Sequence, residues 1–178
     1  MSIYTRLGDD GRTDLSRPGP RVRKDDPRIA ALGELDELSC RLGCALAALP
    51  AKPAFAPLRS ALQRVQGELL ELGARFAAPR SKPFSPSRVS ALEREIDRME
   101  KELPRLRNFL LPSGAPAGAA LHLARAACRS AERRAAGLGA RAPHGGLPYL
   151  NRLSDWLFVA ARWTNRRLRR PEPLWRGR

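Results

Sequence analysis

The sequence has few of the residues that build disulfide frameworks, zinc sites and β-sheets. Its 178 residues include three cysteines and two histidines, and only 6% are aromatic. An odd cysteine count without a secretory context argues against a disulfide framework, and neither histidine has a zinc-like spacing from the cysteines. Alanine and leucine are abundant instead, which favours helices over sheets.

Two of the cysteines, Cys40 and Cys44, are four residues apart and would share one face of a helix, as a metal-binding pair could. Free cysteines are more often small buried residues. We therefore expect both thiols to lie in the core, and we expect no metal site.

Long apolar runs are also missing. No stretch approaches the roughly 20 apolar residues that a helix needs to cross a bilayer, and no hydrophobic segment near the N-terminus could act as a signal peptide. The apolar share of 43% is ordinary for a globular protein. We expect one cytoplasmic domain over residues 1–178, without a membrane-spanning segment.

Acidic residues are scarce in the C-terminal third of the chain. Residues 121–178 contain 13 arginines and three acidic residues, in a chain whose net charge is +15. Such a field attracts nucleic acid, anionic lipid or a polyanionic ligand. Arginine-rich composition also arises in GC-rich genomes, so the charge alone does not identify a partner.

Five stretches with apolar residues three and four apart predict five helices, bounded by prolines and glycines. They run from about residue 27 to 50, 54 to 77, 87 to 104, 117 to 138 and 148 to 170, with Ser87 capping the third. Residues 1–27 indicate an arm with a short extended piece near residues 3–5, and residues 171–178 a tail. The predicted fold is all-α, an up-and-down five-helix bundle with a four-helix core plus one.

The fourth predicted helix carries a row of basic side chains. His122, Arg125, Arg129 and Arg133 follow steps of three, four and four and therefore share a face. Guanidinium groups are well shaped to bind phosphate oxygens, but most arginine rows on bundles are solvated surface. Glu132 could pair locally with Arg129. The spacing alone leaves both interpretations open.

The fifth predicted helix has a matching polar stripe. Asn151, Asp155, Phe158 and Arg162 are related by four, three and four residues. They would place a carboxamide, a carboxylate, a ring and a guanidinium on one face. A local ion pair of Asp155 with Arg152 or Arg162 is the plainer alternative.

An acid and a glycine-containing segment lie nearer the N-terminus. Asp36 sits beside the predicted leucine seam of the first helix, where an unpartnered acid is costly, and an arginine of the fourth helix is its natural partner. Residues 5–13 could offer backbone N–H groups and hydroxyls to an anion. They lack the spacing of a phosphate-binding P-loop and follow no strand.

Taken together, six blocks carry a family resemblance, in order and over nearly the whole chain. They are residues 3–11 (IYTRLGDDG), 24–28 (KDDPR), 33–38 (GELDEL), 109–114 (FLLPSG), 119–133 (AALHLARAACRSAER) and 149–155 (YLNRLSD). In this order and spacing the sequence resembles the ATP:cob(I)alamin adenosyltransferases of the propanediol-utilisation (PduO) type.

The resemblance implies a fold, a reaction and an assembly. It implies the ferritin-like fold of that family, in homotrimers that hold ATP between neighbouring subunits with cobalamin beside it. Co(I) attacks the 5′ carbon of ATP, with Mg²⁺ present, and adenosylcobalamin and triphosphate result. A cobalamin reductase and an adenosylcobalamin-dependent enzyme are the implied partners, and neither nucleic acid nor a membrane is implied.

The resemblance also assigns residues. Those placed on ATP are Thr5, Arg6, Leu7, Gly8, Thr13, Asp14, Lys24, Arg129, Ser130, Ala131, Glu132, Arg133 and Asn151. Arg133 is the phosphate ligand, and Asp36 pairs with Arg129 across the subunit boundary. Phe109 keeps the lower axial ligand off cobalt, and Asp155 and Phe158 are assigned to the corrinoid as well.

Four positions depart from the family pattern. The family usually has lysine at Arg6, threonine or a small polar residue at Leu7, lysine at Asp10 and a second arginine at Ser130. Leu7 loses a hydroxyl, Asp10 puts an anion near the phosphates, and Ser130 removes a guanidinium. For Ser130 we expect weaker ATP binding or an altered subunit contact, with activity retained because Arg129 and Arg133 remain.

Three other functions would use parts of the same sequence. A basic nucleic-acid-binding helical bundle would use the positive C-terminal third, but no helix-turn-helix, zinc module or aromatic-rich RNA motif is found. A ferritin-like metal bundle would need paired Glu-x-x-His motifs, which the sequence lacks. A corrinoid chaperone that delivers adenosylcobalamin to a mutase would use the same fold.

Overall fold

The computed structural model describes residues 4–15, 19–78 and 82–176. In these ranges there are five α-helices: α1 (Pro27–Ala48), α2 (Ala56–Ala77), α3 (Pro86–Glu100), α4 (Pro116–Ala136) and α5 (Gly146–Arg167). Two short strands, β1 (Arg12–Asp14) and β2 (Arg21–Arg23), form an antiparallel hairpin before α1. Single 3-10 turns cover Pro53–Phe55 and Gly139–Arg141. The predicted all-α, five-helix architecture is confirmed.

Prolines mark the helix starts. A proline occupies one of the first two positions of four helices: Pro27 in α1, Pro57 in α2, Pro86 in α3 and Pro116 in α4. Proline has no N–H to lose there, and its fixed φ suits the first turn. The side chain of Asp26 caps α1 by accepting a hydrogen bond from the backbone N–H of Arg28 at 2.8 Å.

The predicted cap of α3 was wrong by two residues. Ser85, in extended conformation, is the cap, and its hydroxyl accepts from the backbone N–H of Ser87 at 3.4 Å. Pro86 stands between them as the first helical residue, so the helix has already begun when the chain reaches Ser87.

Buried side chains from all five helices form one contiguous core. In the order of packing, α2 lies against α1, α1 against α4, α4 against α5, and α5 against α3. The inner face of α4 is built mainly from alanines, which lets the larger side chains of α1 and α5 approach it closely. Within the described ranges, no helix is long and apolar enough to span a membrane.

The N-terminal segment was predicted only in part. Tyr4 and Thr5 are outside any strand, and Ile3 lies outside the described residues, so the extended piece predicted at residues 3–5 is not where the strands are. The hairpin instead pairs Thr13 with Val22. Each strand is three residues long, which is too short for an alternating pattern to be read.

The expectation of buried cysteines was wrong for the pair on α1. Cys40 and Cys44 are both exposed, and Cys128 is buried. Cys40 is two residues past the buried Leu38, which turns it to the opposite side of the helix. The buried leucines of α1 determine which face of the helix points to the core, and both cysteines lie outside that face.

Candidate functional site

The outer face of α4 presents guanidinium groups to solvent. Arg129 and Arg133 are exposed, and neither forms an ion pair with any residue in the described part of the chain. Arg133 donates a hydrogen bond to the hydroxyl of Ser130 at 2.9 Å. A neighbour, Arg134, lies 3.7 Å from Glu34 of α1, and Glu34, Ser130, Arg133 and Arg134 line an open cavity of about 350 Å³. The charge of Arg133 is therefore available to an anion.

Glu132, the carboxylate next to these arginines, accepts a hydrogen bond from α5. The side-chain amide of Asn151 donates to Glu132 at 2.9 Å, so the local pair of Glu132 with Arg129 that was considered from the sequence is not formed. The bond fixes Asn151 at the edge of the arginine face. Ala131, between these residues in sequence, is buried in the core.

The N-terminal segment is organised around one arginine that the sequence prediction did not single out. The guanidinium of Arg21 donates to both carboxylate oxygens of Asp10, to the carbonyl of Leu7 and to that of Arg12 at 2.9 Å, and it lies 3.9 Å from Asp14. The backbone N–H of Arg12 and then the Arg21 side chain lower the pKa of Asp10. Asp10 is therefore a charged carboxylate with a structural role, and the Arg21 guanidinium balances its charge.

Lys24 lies close to Gly8 and Gly11 in the same segment. The backbone N–H of Lys24 donates to the carbonyl of Gly11 at 2.9 Å. A Cβ added to Gly8 would lie 3.2 Å from the Lys24 ammonium nitrogen, so the absence of a side chain at Gly8 makes room for this cation. Lys24 has no ion pair among the residues that the structure describes.

The preceding residues are exposed. Arg6 has a positive φ of 60°, and its guanidinium lies 5.6 Å from the centre of the Tyr4 ring. The Leu7 side chain is 60% exposed, and its backbone N–H donates to the Thr5 hydroxyl at 3.5 Å. No hydrogen bond or ion pair within the described ranges joins this segment to α4.

The predicted acid of α1 does not meet an arginine of its own chain. Asp36 is exposed and lines a largely apolar groove of about 350 Å³ between α1 and α2. It forms no ion pair with any residue in the described part of the chain. In the ranges that the structure describes, the α4 arginine that forms an ion pair with α1 is Arg134, with Glu34. A single chain therefore does not bring Asp36 and Arg129 together.

An aromatic ring on α5 lies close to two cations. The guanidiniums of Arg125 and Arg162 lie 5.8 and 5.9 Å from the centre of the Phe158 ring, and the His122 ring is 6.0 Å away. Burial, and then the charge of Arg125, lower the pKa of His122 to about 4, so the imidazole is neutral near pH 7. Asp155 pairs with Arg152 at 2.7 Å, which confirms the local ion pair considered from the sequence.

Phe109 lies in the connection between α3 and α4 and is 78% exposed. The C-terminal residues run alongside it: the backbone N–H of Trp175 donates to the carbonyl of Phe109 at 2.8 Å, and that of Leu111 to the carbonyl of Pro173 at 2.9 Å. The Trp175 ring packs edge-on against Phe109, with centroids 6.3 Å apart. The predicted tail is thus paired with the segment that carries Phe109.

A buried carboxamide, missed by the sequence prediction, fixes the other end of this segment. Asn165 of α5 accepts from the backbone N–H of Ala115 and donates to the carbonyl of Ser113, both at 3.0 Å. A Cβ at Gly114 or Gly118 would come within 2.3 Å or 2.1 Å of its oxygen. The two glycines, four residues apart, are the sequence signal that a side chain enters here.

Comparisons with known proteins agree on one family. The family model described as cobalamin adenosyltransferase matches residues 3–164. A corrinoid adenosyltransferase of Bacillus subtilis (strain 168) is 40% identical over 172 residues, covering 94% of this chain and 88% of that protein. The corrinoid adenosyltransferase MMAB of Bos taurus is 37% identical over 185 residues, covering 98% of this chain and 76% of that protein.

Solved structures give the same result. A phenylalanine-to-alanine variant of a PduO-type ATP:corrinoid adenosyltransferase from Lactobacillus reuteri, complexed with cobalamin and ATP, has a TM-score of 0.91 at 32% identity and covers 99% of this chain and 100% of its own. An arginine-to-lysine variant complexed with ATP has a TM-score of 0.88 at 34% identity, with coverages of 98% and 100%. None of these matches favours a nucleic-acid-binding function. The chain belongs to the cobalamin adenosyltransferase family.

Proposed function

We propose that the protein is a corrinoid adenosyltransferase, which transfers the 5′-deoxyadenosyl group of ATP to cob(I)alamin and releases triphosphate. The observation that carries the proposal is the exposed guanidinium of Arg133, which has no ion pair in the described part of the chain, on a fold similar over nearly its full length to one complexed with cobalamin and ATP. A polyanionic leaving group requires cationic groups that are not already paired.

The proposed ATP site has three parts. Arg133 binds the phosphates, with Ser130 orienting its guanidinium through their 2.9 Å hydrogen bond. The hydrogen bond from the Asn151 side chain to Glu132 orients the carboxamide, whose remaining polar atoms would bind the nucleotide. The N-terminal segment closes over the nucleotide with Lys24 as its cation, and the residues assigned there are Thr5, Arg6, Leu7, Gly8, Thr13 and Asp14.

We propose that the site is completed by a second copy of the chain, in a homotrimer. Asp36 and Arg129 each lack an ion-pair partner within the described part of one chain. Because they lie on different sides of the bundle, neighbouring copies could pair them once per interface. The N-terminal segment, which has no polar bond to α4 of its own chain, would reach the α4 face of the neighbour.

The corrinoid is proposed to lie against Phe109, whose exposed ring would occupy the lower side of cobalt and exclude its axial base. Phe158, which has the guanidiniums of Arg125 and Arg162 near its ring, would support the ring system from α5. Asp155 is assigned to the corrinoid by resemblance, although its carboxylate is engaged by Arg152 in one chain.

The chemistry needs no protein nucleophile or general base. The electron pair of Co(I) forms the cobalt–carbon bond, the bond from the 5′ carbon to oxygen breaks, and its electrons leave on triphosphate. Arg133 and Lys24 would stabilise the developing charge. Their effect is largest in a site from which the bound corrinoid excludes water.

Magnesium is proposed to enter with ATP. No group of three or more His, Cys, Asp and Glu side chains in the described ranges could hold a metal ion by itself. Mg²⁺ commonly binds one or two carboxylates together with substrate phosphates and water. Glu34, which lines the cavity beside Arg133, fits that role, and the ion would neutralise part of the triphosphate charge.

A cytoplasmic location and two partners complete the proposal. Three free cysteines, two of them exposed, suit a reducing compartment. A cobalamin reductase would supply Co(I), and an adenosylcobalamin-dependent enzyme would receive the product. We propose one domain, with residues 1–27 wrapping the nucleotide, 28–170 forming the bundle and 171–178 the tail.

The experiment that tests this function compares two arginine variants in an assay with MgATP and chemically reduced cobalamin. Arg133→Ala should lower kcat by about a hundredfold or more, as the loss of one transition-state donor typically does. The control is Arg94→Ala, at an exposed position of α3 away from the proposed site, which should keep full activity. Near-normal turnover by Arg133→Ala would refute the assignment.

A further inference from the structure

A second basic cavity lies beside Phe109 and is not used by the proposed ATP site. It measures about 460 Å³ and is lined by the connection after α3, the last turn of α5 and the C-terminal residues. Four of its arginines share one property, the lack of an ion pair within the described ranges: Arg105, Arg107, Arg166 and Arg170. We call this cavity the arginine basin.

The remaining charges of the basin cancel. Arg162 is buried and lies 3.3 Å from Glu172, the one carboxylate that lines the cavity in the described chain, and it donates to the carbonyl of Pro104 at 3.0 Å. The four unpaired guanidiniums therefore set the sign of the basin. Cations gathered around a concave surface without counter-ions point to an anionic ligand.

The basin is continuous with the proposed corrinoid position. A neighbouring cavity of about 590 Å³ is lined by Phe109 and Trp175, and it shares Leu106, Arg107 and Asn108 with the basin. A group that is displaced at Phe109 would therefore enter the basin directly. On the other side, Arg162 connects the basin to Phe158, whose ring lies 5.9 Å from its guanidinium.

Cobalamin carries one anionic group that must move in this way. Its axial base is tethered to the corrin ring by a ribose and a phosphodiester, and the base leaves the lower side of cobalt when Phe109 occupies it. We infer that the arginine basin binds the phosphodiester of this displaced nucleotide tail. The inference rests on the proposed function and deepens it, because it makes the basin a subsite for complete corrinoids.

The test compares cobalamin with cobinamide, which has the same corrin ring but no nucleotide tail. The variant is Arg166→Gln with Arg170→Gln, at two exposed positions of the basin. The matched control, Arg94→Gln with Arg169→Gln, removes the same charge at exposed positions that do not line the basin. Initial rates give KM and kcat for each corrinoid at saturating MgATP.

The basin variant should raise KM for cob(I)alamin by about tenfold, as the loss of charge-assisted hydrogen bonds predicts. Its KM for cob(I)inamide and both kcat values should change by less than about twofold, and the control should match the wild type. An equal change for the two corrinoids, or no change for either, would overturn the inference.

Triphosphate is the other source of phosphate oxygens, and it is tested separately. Inorganic triphosphate should inhibit the wild type and the basin variant equally, because the leaving group binds at Arg133. Weaker inhibition of the basin variant with both corrinoids would assign the basin to triphosphate and overturn the inference. Failure of the wild type to adenosylate either corrinoid would instead refute the proposed function.

Discussion

At the scale of single residues, the proposed site is defined by which charges are left without partners. Arg129 and Arg133 are exposed and unpaired in the described chain, whereas Arg134, between α4 and α1, faces Glu34. The spacing in the sequence placed these arginines on one helix but could not tell them apart. The distinction depends on where α1 packs, which is a tertiary property.

Asp10 has a structural role, through its contact with Arg21, that its negative charge alone does not indicate. From the sequence alone, Asp10 puts an anion near the phosphates. In the structure Asp10 binds the Arg21 guanidinium, which also donates to the carbonyls of Leu7 and Arg12, so loss of the Asp10 carboxylate should loosen the segment that is proposed to wrap the nucleotide. We expect Asp10→Ala to raise KM for ATP severalfold at unchanged kcat. Asp9→Ala, an exposed neighbour, is the control, and a lower KM for Asp10→Ala would contradict this account.

His122 makes stability depend on pH. Its pKa is lowered to about 4 in the folded protein against about 6.5 when unfolded, so the unfolded chain binds the proton more readily between these values. This contribution to stability is complete above about pH 6.5 and is lost as pH falls to about 4, at up to about 1.4 kcal/mol per pH unit.

Denaturant unfolding between pH 4 and 7 measures this effect. The free energy of unfolding of His122→Gln should fall less steeply with acidification than that of the wild type. His144→Gln, at an exposed position, should follow the wild type. Parallel curves for His122→Gln and the wild type would show that His122 does not titrate in this range.

At the scale of elements, the helices were readable from the sequence and the connections were not. The leucine spacing and the prolines gave the five helices, because both signals are local and repeat over many residues. The hairpin depends on Arg21 reaching several carbonyls, and the segment at Phe109 on Asn165, which is 50 residues from its partner Ala115. Single long-range contacts of this kind leave no periodic signal.

Gly118 tests the connection between α5 and the Phe109 segment. Gly118→Ala would place a methyl 2.1 Å from the Asn165 oxygen, so the carboxamide must give up its hydrogen bonds. Unfolding in urea should show a loss of about 1–3 kcal/mol, and the KM for cob(I)alamin should rise. Gly67→Ala, on α2 where no atom lies within 4 Å, should instead stabilise by about 0.5–1 kcal/mol. A stabilised Gly118→Ala would contradict the proposed fixing of the segment.

At the scale of the whole molecule, the order of helix packing separates the parts of the proposed site. Asp36 lies in the groove between α1 and α2, and Arg129 lies on α4, which packs on another side of α1. The family resemblance supplied the idea that they meet across a boundary between subunits. Neither the spacing of residues in the sequence nor the structure of a single chain indicates that contact.

A charge exchange tests this assembly. Asp36→Arg and Arg129→Asp should each lower activity by about tenfold or more and weaken the trimer, because each leaves two like charges facing each other. The double variant should recover most of the activity and the mass of three chains in sedimentation equilibrium. Asp97→Arg, at an exposed position of α3, is the control. If the losses of activity in the two single variants simply add in the double variant, Asp36 and Arg129 do not pair.

The stoichiometry of the reaction is the sharpest test of the proposed adenosyl transfer. The purified protein, MgATP and chemically reduced cob(I)alamin are mixed without oxygen, and adenosylcobalamin is followed by its absorbance while triphosphate is quantified. We expect equal amounts of adenosylcobalamin and triphosphate, and no reaction when ATP is left out. Absence of adenosylcobalamin, or release of phosphate and diphosphate in place of triphosphate, would contradict the proposed transfer.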